Sequence, residues 1–116
     1  MAVTIYKIFR RAEWENARKT GVFEGSPDDR RDGFIHFSTG TQLDTTLTRH
    51  FLGEDNLVLA AVDSSDVAAD LKWEESRKGE RFPHLYAALP LELVRAAMEL
   101  RRGADGRFAL PPDIAK

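Results

Sequence analysis

The stretch DGFIHFST, Asp32 to Thr39, sets a histidine and a serine two positions apart among aromatic and β-branched neighbours. Extended as a strand, it turns Phe34, His36 and Ser38 to one face and Ile35 and Phe37 to the other. An imidazole, with an unperturbed pKa of about 6.5, can take or give a proton near neutrality, and a hydroxyl beside it can donate or accept a hydrogen bond. The stretch FPHLY repeats the arrangement, with Phe82, His84 and Tyr86 on one face. In KWEES, Glu74 points with Lys72 and Ser76, while Glu75 points with Trp73. A few polar groups converging within aromatic surface are the usual construction of a small-molecule site. His36 and Glu74 are therefore the candidate catalytic residues. His36, Ser38, Gln42, His84 and Tyr86 are the candidate ligand-binding residues.

Each of these residues also has a purely structural explanation. Thr39 followed by Gln42 matches a capping box, in which both side chains satisfy free backbone donors at a helix start. His84 between two rings fits a core strand, and Glu74 and Glu75 fit a solvated edge. His50, next to Arg49, reads as a surface or boundary residue. Histidines 36, 50 and 84 suffice in number for a three-nitrogen zinc site, but no short-spaced pair such as His-Glu-x-x-His supports one, so no metal ligand is assigned. Ser38 lacks the Gly-x-Ser-x-Gly turn of a hydrolase nucleophile, and the chain has no phosphate loop or dinucleotide-binding glycine fingerprint.

The elements that must position these groups follow from periodicity. Residues 4–9, TIYKIF, alternate as a strand. Residues 12–20 form a short amphipathic helix closed by Gly21. Residues 25–33, GSPDDRRDG, read as a polar loop leading into the FIHFS strand. A helix is expected from about Gly40 to Leu52, with Leu43 and Leu47 at helical spacing. Residues 56–63, NLVLAAVD, are a continuous apolar run, as in a central strand covered on both faces. Strands follow at 71–76 and 82–89, the second with Pro83 near its start. A turn at 91–93, a strand, an Asp-Gly hairpin at 103–107 and a return strand to Pro111 complete the chain. Two early helices followed by many strands make the class α+β, with a single domain built on a curved mixed or antiparallel sheet.

Composition narrows the partners. The 116 residues carry a net charge of −2, with 42% hydrophobic and 31% charged residues, and no cysteine. Disulfide, thiolate-metal and cysteine-nucleophile chemistry are excluded. No concentrated basic surface suggests a nucleic-acid partner, and no apolar run approaches the ~20 residues that span a bilayer. A cytoplasmic protein with a small-molecule ligand is the expectation; a noncatalytic ligand- or protein-binding module and a histidine-based metal enzyme are the alternatives.

With GFIHFS, the following Gln42, the Trp73-Glu74 pair and FPHLY in that order, the chain resembles a bacterial family known as domain of unknown function 952. The likeness runs from YKI at residues 6–8 to the ADGRFALP near the end. Where the family pattern continues FPHLY with Gly-Pro, this chain has Ala87 and Ala88. The resemblance implies a distant likeness to the ADP-ribosyltransferase fold, a split, curved α+β core with a nicotinamide-nucleotide cleft and thus an NAD-like nucleotide as cofactor. It implies scission of the bond between nicotinamide and ribose, with a carboxylate stabilising an oxocarbenium-like transition state. Glu74 would take that carboxylate role. The first strand has Tyr6 and Lys7 where the transferases carry a histidine or arginine, and His36 lies on the next strand. With the resemblance, the expectation becomes a protein that binds a nucleotide-like or phosphorylated small ligand, with ADP-ribosyl- or phosphoryl-transfer chemistry.

Overall fold

In the computed structural model, which describes residues 2–76, 79–111 and 114, the alternating first segment is extended over Thr4–Arg10 (β1). Arg11–Thr20 (α1) follows, ended by Gly21 at φ 84°, a left-handed position that suits glycine. Leu57–Asp63 (β5) pairs antiparallel with the whole of β1, and Val94–Leu100 (β9) pairs with the other side of β5. The apolar run of β5 is explained by two cores. Val58, Ala60 and Val62 join Ile5, Phe9 and Ala17 on the α1 side. Leu57 and Leu59 join Ile8, Leu43 and Leu47 on the other, under Leu43–His50 (α3).

The FIHFS segment is not one strand. Ile35–His36 (β3) pairs with Arg81–Leu85 (β7), whereas Ser38–Thr39 (β4) pairs with β1. Phe37, buried, is the step between them. The expected single curved sheet is thus a four-stranded sheet in the order β4-β1-β5-β9 and a separate three-stranded one, β3-β7-β6, where β6 is Leu71–Glu75. Val22–Phe23 (β2) and Leu89–Pro90 (β8) make a small third ribbon. All the pairings are antiparallel.

Pro83 explains why β3 ends where it does. Phe37 N donates to Pro83 O at 3.0 Å, so the main-chain groups of Pro83 face β3. Proline offers no N–H in return, and the ladder stops while the chain crosses to the first sheet. Pro83 therefore sits inside a central strand, not at its start.

The polar loop expected over residues 25–33 contains a helix, Pro27–Asp32 (α2). Asp29 N donates to Ser26 Oγ at 3.2 Å and Ser26 N donates to Asp29 Oδ2 at 2.9 Å, a reciprocal cap that precedes Pro27 at the first helical position. Charged composition hid a local start signal. The expected helix from Gly40 opens as a 3-10 turn, Gly40–Gln42, before α3 begins. Gly40 is required there by proximity, since a Cβ would lie 2.1 Å from the carbonyl oxygen of Ile114. The expected strand over 82–89 breaks after Leu85, where Tyr86 N turns to Asp70 O. The final hairpin is present as a turn with Gly106 at φ 81°, but its return is a single bridge, Arg102 to Phe108. No helix among the described residues is long and apolar enough to cross a membrane.

Candidate functional site

β1 is paired with β5 along its length but with β4 only at Ile5 and Tyr6. Beyond Tyr6 the chain that would have continued β4 has already left through Phe37 for the other sheet. The two sheets part at that point, and a cleft of about 160 Å³ opens there, with Lys7, His36, Ser38 and His84 on its walls. Such a volume is below the ~300 Å³ at which drug-sized pockets begin.

His36 and His84 are directly opposed across β3 and β7, with ring centroids 5.6 Å apart and nearly perpendicular planes. Phe34, which follows the left-handed Gly33, stacks on His84 at 4.0 Å and touches His36 at 4.6 Å. Each imidazole is oriented by a carboxylate at Nδ1: His36 by Asp29 Oδ1 at 2.6 Å, and His84 by Glu74 Oε1 at 2.9 Å. A carboxylate only accepts, so Nδ1 carries hydrogen in both rings. On His84 the lone-pair nitrogen of the neutral ring is then Nε2, on the side away from Glu74.

Asp29 is the hub of the site. It is 2% exposed, and it accepts from Lys7 Nζ at 2.9 and 3.2 Å, from Ser26 N, and from the amide and ring of His36. Burial pushes its carboxyl pKa up, but the His36 hydrogen bond, the Lys7 charge and the Ser26 amide together outweigh that and hold it well below the usual carboxylate range. Lys7, itself 5% exposed, owes its buried charge to this partner. The other cationic side chains on the lining are also matched: Arg10 grips Glu54 with 2.7 and 2.9 Å bonds, and Arg31 meets Asp28 and Asp32.

His36 has a second carboxylate, Asp32 Oδ2, 3.0 Å from Nε2. The Arg31 hydrogen bond is the main cause of a lowered Asp32 pKa. Behind His84, Tyr86 donates to Glu74 at 2.7 Å, and that bond, followed by the His84 contact, lowers the Glu74 pKa. The same bond raises the Tyr86 pKa.

Of the residues singled out from sequence, His36, Ser38 and His84 come together on the cleft wall. Ser38 Oγ is 3.0 Å from Thr46 Oγ1, also on the wall. Glu74 and Tyr86 do not reach the lining; the expected carboxylate of the cleft stands one imidazole behind it. Gln42 is likewise elsewhere, accepting from Thr39 N and donating to Arg81 O and Glu80 Oε2, which ties the start of α3 to β7. His50, read as a boundary residue, is exposed but reaches the cleft's lining. No group of three histidine, aspartate or glutamate side chains among the described residues is arranged to hold a metal ion. Asp29 and Asp32 were missed because GSPDDRRDG was read by composition. The Ser26-x-x-Asp29 spacing around Pro27 was the available signal.

A family described as "Protein of unknown function (DUF952)" matches residues 8–97. The chain is similar to the crystal structure of protein CC0527 from Caulobacter crescentus, with 47% identity over 98% of this chain and 100% of that one, and a TM-score of 0.92. A crystal structure of a doubly substituted form of that protein gives the same identity and coverage with a TM-score of 0.91. Its solution NMR structure gives 50% identity over 90% of each chain and a TM-score of 0.81. No curated protein matches the chain.

Proposed function

The chain belongs to the DUF952 family, and from that premise we propose that it binds a nucleotide-like, phosphorylated small ligand in the cleft between its sheets and catalyses group transfer there. The observation that carries the reading is the pair of opposed histidines, 5.6 Å apart on one cleft, each aligned by its own carboxylate. Orientation of an imidazole by a carboxylate at Nδ1 is how general acids and bases are held for proton transfer. In phosphoryl transfer, the acceptor hydroxyl would pass its proton to Nε2 of His84 as its oxygen bonds to phosphorus. The bond to the leaving oxygen would break with its electron pair, and His36, as the imidazolium, would supply the proton.

The ADP-ribosyltransferase-like fold and NAD-like cofactor belong to the same proposal. The parting of two antiparallel sheets around the cleft supports them. Against ribosyl transfer stands the place of Glu74, behind His84 instead of beside the reacting centre; this favours phosphoryl chemistry, or a binding module without catalysis. Calorimetric and thermal-shift titration with NAD, ADP-ribose and AMP tests the reading. Binding at one hundred times Kd should add about 2.7 kcal/mol of stability. No response to any of them would remove the proposal. His84→Gln should spare binding while removing turnover, and turnover that survives it would leave only the binding half.

A further inference from the structure

The two carboxylates on His36 are unequal. Asp29 is buried and locked by Lys7 and two backbone amides. Asp32 is the last residue of α2, its side chain 33% exposed, and it is followed by Gly33 in the left-handed conformation. Its carboxylate lies between two donors: Oδ2 is 3.0 Å from His36 Nε2, and Oδ1 accepts from Arg31 Nε at 3.0 Å. An imidazole and a guanidinium converging on two oxygens of one anion form the donor set that recognises a phosphate. Asp28 holds the far side of the same guanidinium, Nη1 to Oδ1 at 3.1 Å, a contact that does not involve Asp32. Asp28, Arg31, Asp32 and His36 all line the cleft.

We infer that Asp32 is an internal stand-in for the ligand's phosphate: its carboxylate occupies the oxyanion seat between His36 and Arg31, and a phosphate monoester binds by displacing it. This rests on the reading of the cleft as a site for a phosphorylated ligand and adds where the phosphate sits and what holds the seat in its absence. A dianionic phosphate cannot share the seat with a carboxylate, because like charges in contact repel. Asp32 can leave because its partners, His36 and Arg31, are themselves partly exposed, whereas Asp29 is buried and keeps the ring of His36 aligned. The resting protein is therefore a weaker phosphate binder than its donor set allows.

The test is calorimetric titration of the whole chain with inorganic phosphate and with AMP, comparing wild type, Asp32→Asn, and Asp32→Asn combined with His36→Asn. Amide NMR spectra confirm that each variant is folded, and Asp32→Ser provides a second way of removing the charge. Asp32→Asn should bind both probes up to about fivefold more tightly, the scale of the exposed ion pairs that phosphate must break to displace Asp32 in the wild type. The gain should vanish in the double variant. Equal or weaker binding by Asp32→Asn, or a gain that survives loss of His36, overturns the inference and leaves the ligand reading standing. Absence of binding by every protein to both probes overturns the two together.

Discussion

Replacing Asp29 by asparagine preserves the shape of the side chain and removes its charge, which strands the buried ammonium of Lys7. Lys7 is 5% exposed, and Asp29 is the carboxylate its ammonium meets, at 2.9 and 3.2 Å. Removing one partner of such a pair leaves an uncompensated buried charge, at a cost of about 3–5 kcal/mol. The Ser26 and His36 amides bond different oxygens of Asp29, and an asparagine keeps only one of them, so the loss combines the stranded Lys7 charge with one backbone donor left facing the side-chain NH2. Lys7→Met in the Asp29→Asn background should then restore the part of the stability that the stranded charge costs, because a neutral side chain at position 7 needs no counter-charge. Urea denaturation of the four proteins of this cycle measures the coupling directly. The pH dependence has a definite sign. The Asp29 carboxyl is depressed in the folded state, so its stabilisation is present above the unfolded value of about 4 and is lost as pH falls through the lower folded value. The gap between wild type and Asp29→Asn should be flat at neutral pH and shrink in acid. A single-variant loss below about 1 kcal/mol, the scale of an exposed pair, would refute the argument.

Gly40→Ala places a methyl group against the carbonyl oxygen of Ile114, within 2.1 Å, and either that segment moves or the 3-10 turn is strained; thermal unfolding should show a loss of about 1–3 kcal/mol, and an unchanged Tm would mean that the contact yields freely. Glu74→Gln lets the amide act as donor or acceptor toward Nδ1 of His84, so nitrogen NMR should find the Nδ1–H tautomer dominant in wild type and no longer enforced in the variant. An unchanged tautomer would show that Glu74 does not orient the ring.

Local chemistry carried much of the chain. β-Branched alternation marked β1, the aliphatic run marked β5 as covered on both faces, and Gly21 marked the end of α1, because each signal lies within a few consecutive residues. The cap at Ser26 and Asp29 was equally local, and only its charged surroundings made the segment look like loop. The position of His36 opposite His84 was of another kind. Their separation of 48 positions carries no spacing rule, and their pairing depends on β3 reaching β7.

What the sequence determined by itself was an α+β chain with a histidine set among aromatic residues in each of two extended segments; the single strand face expected for Phe34, His36 and Ser38 did not survive the change of sheet at Phe37. Tertiary structure decided which of those segments meet. Phe37 carries the chain from one sheet to another and Pro83 ends the ladder beside it, and this break opens the cleft. It also decided that Glu74 supports His84 from behind, while Asp29 and Asp32, unremarked in a polar run, take the two nitrogens of His36. The physical reason is that partnership between distant charged groups is set by where the backbone brings them. A carboxylate's sequence neighbours say only that it is free to be brought.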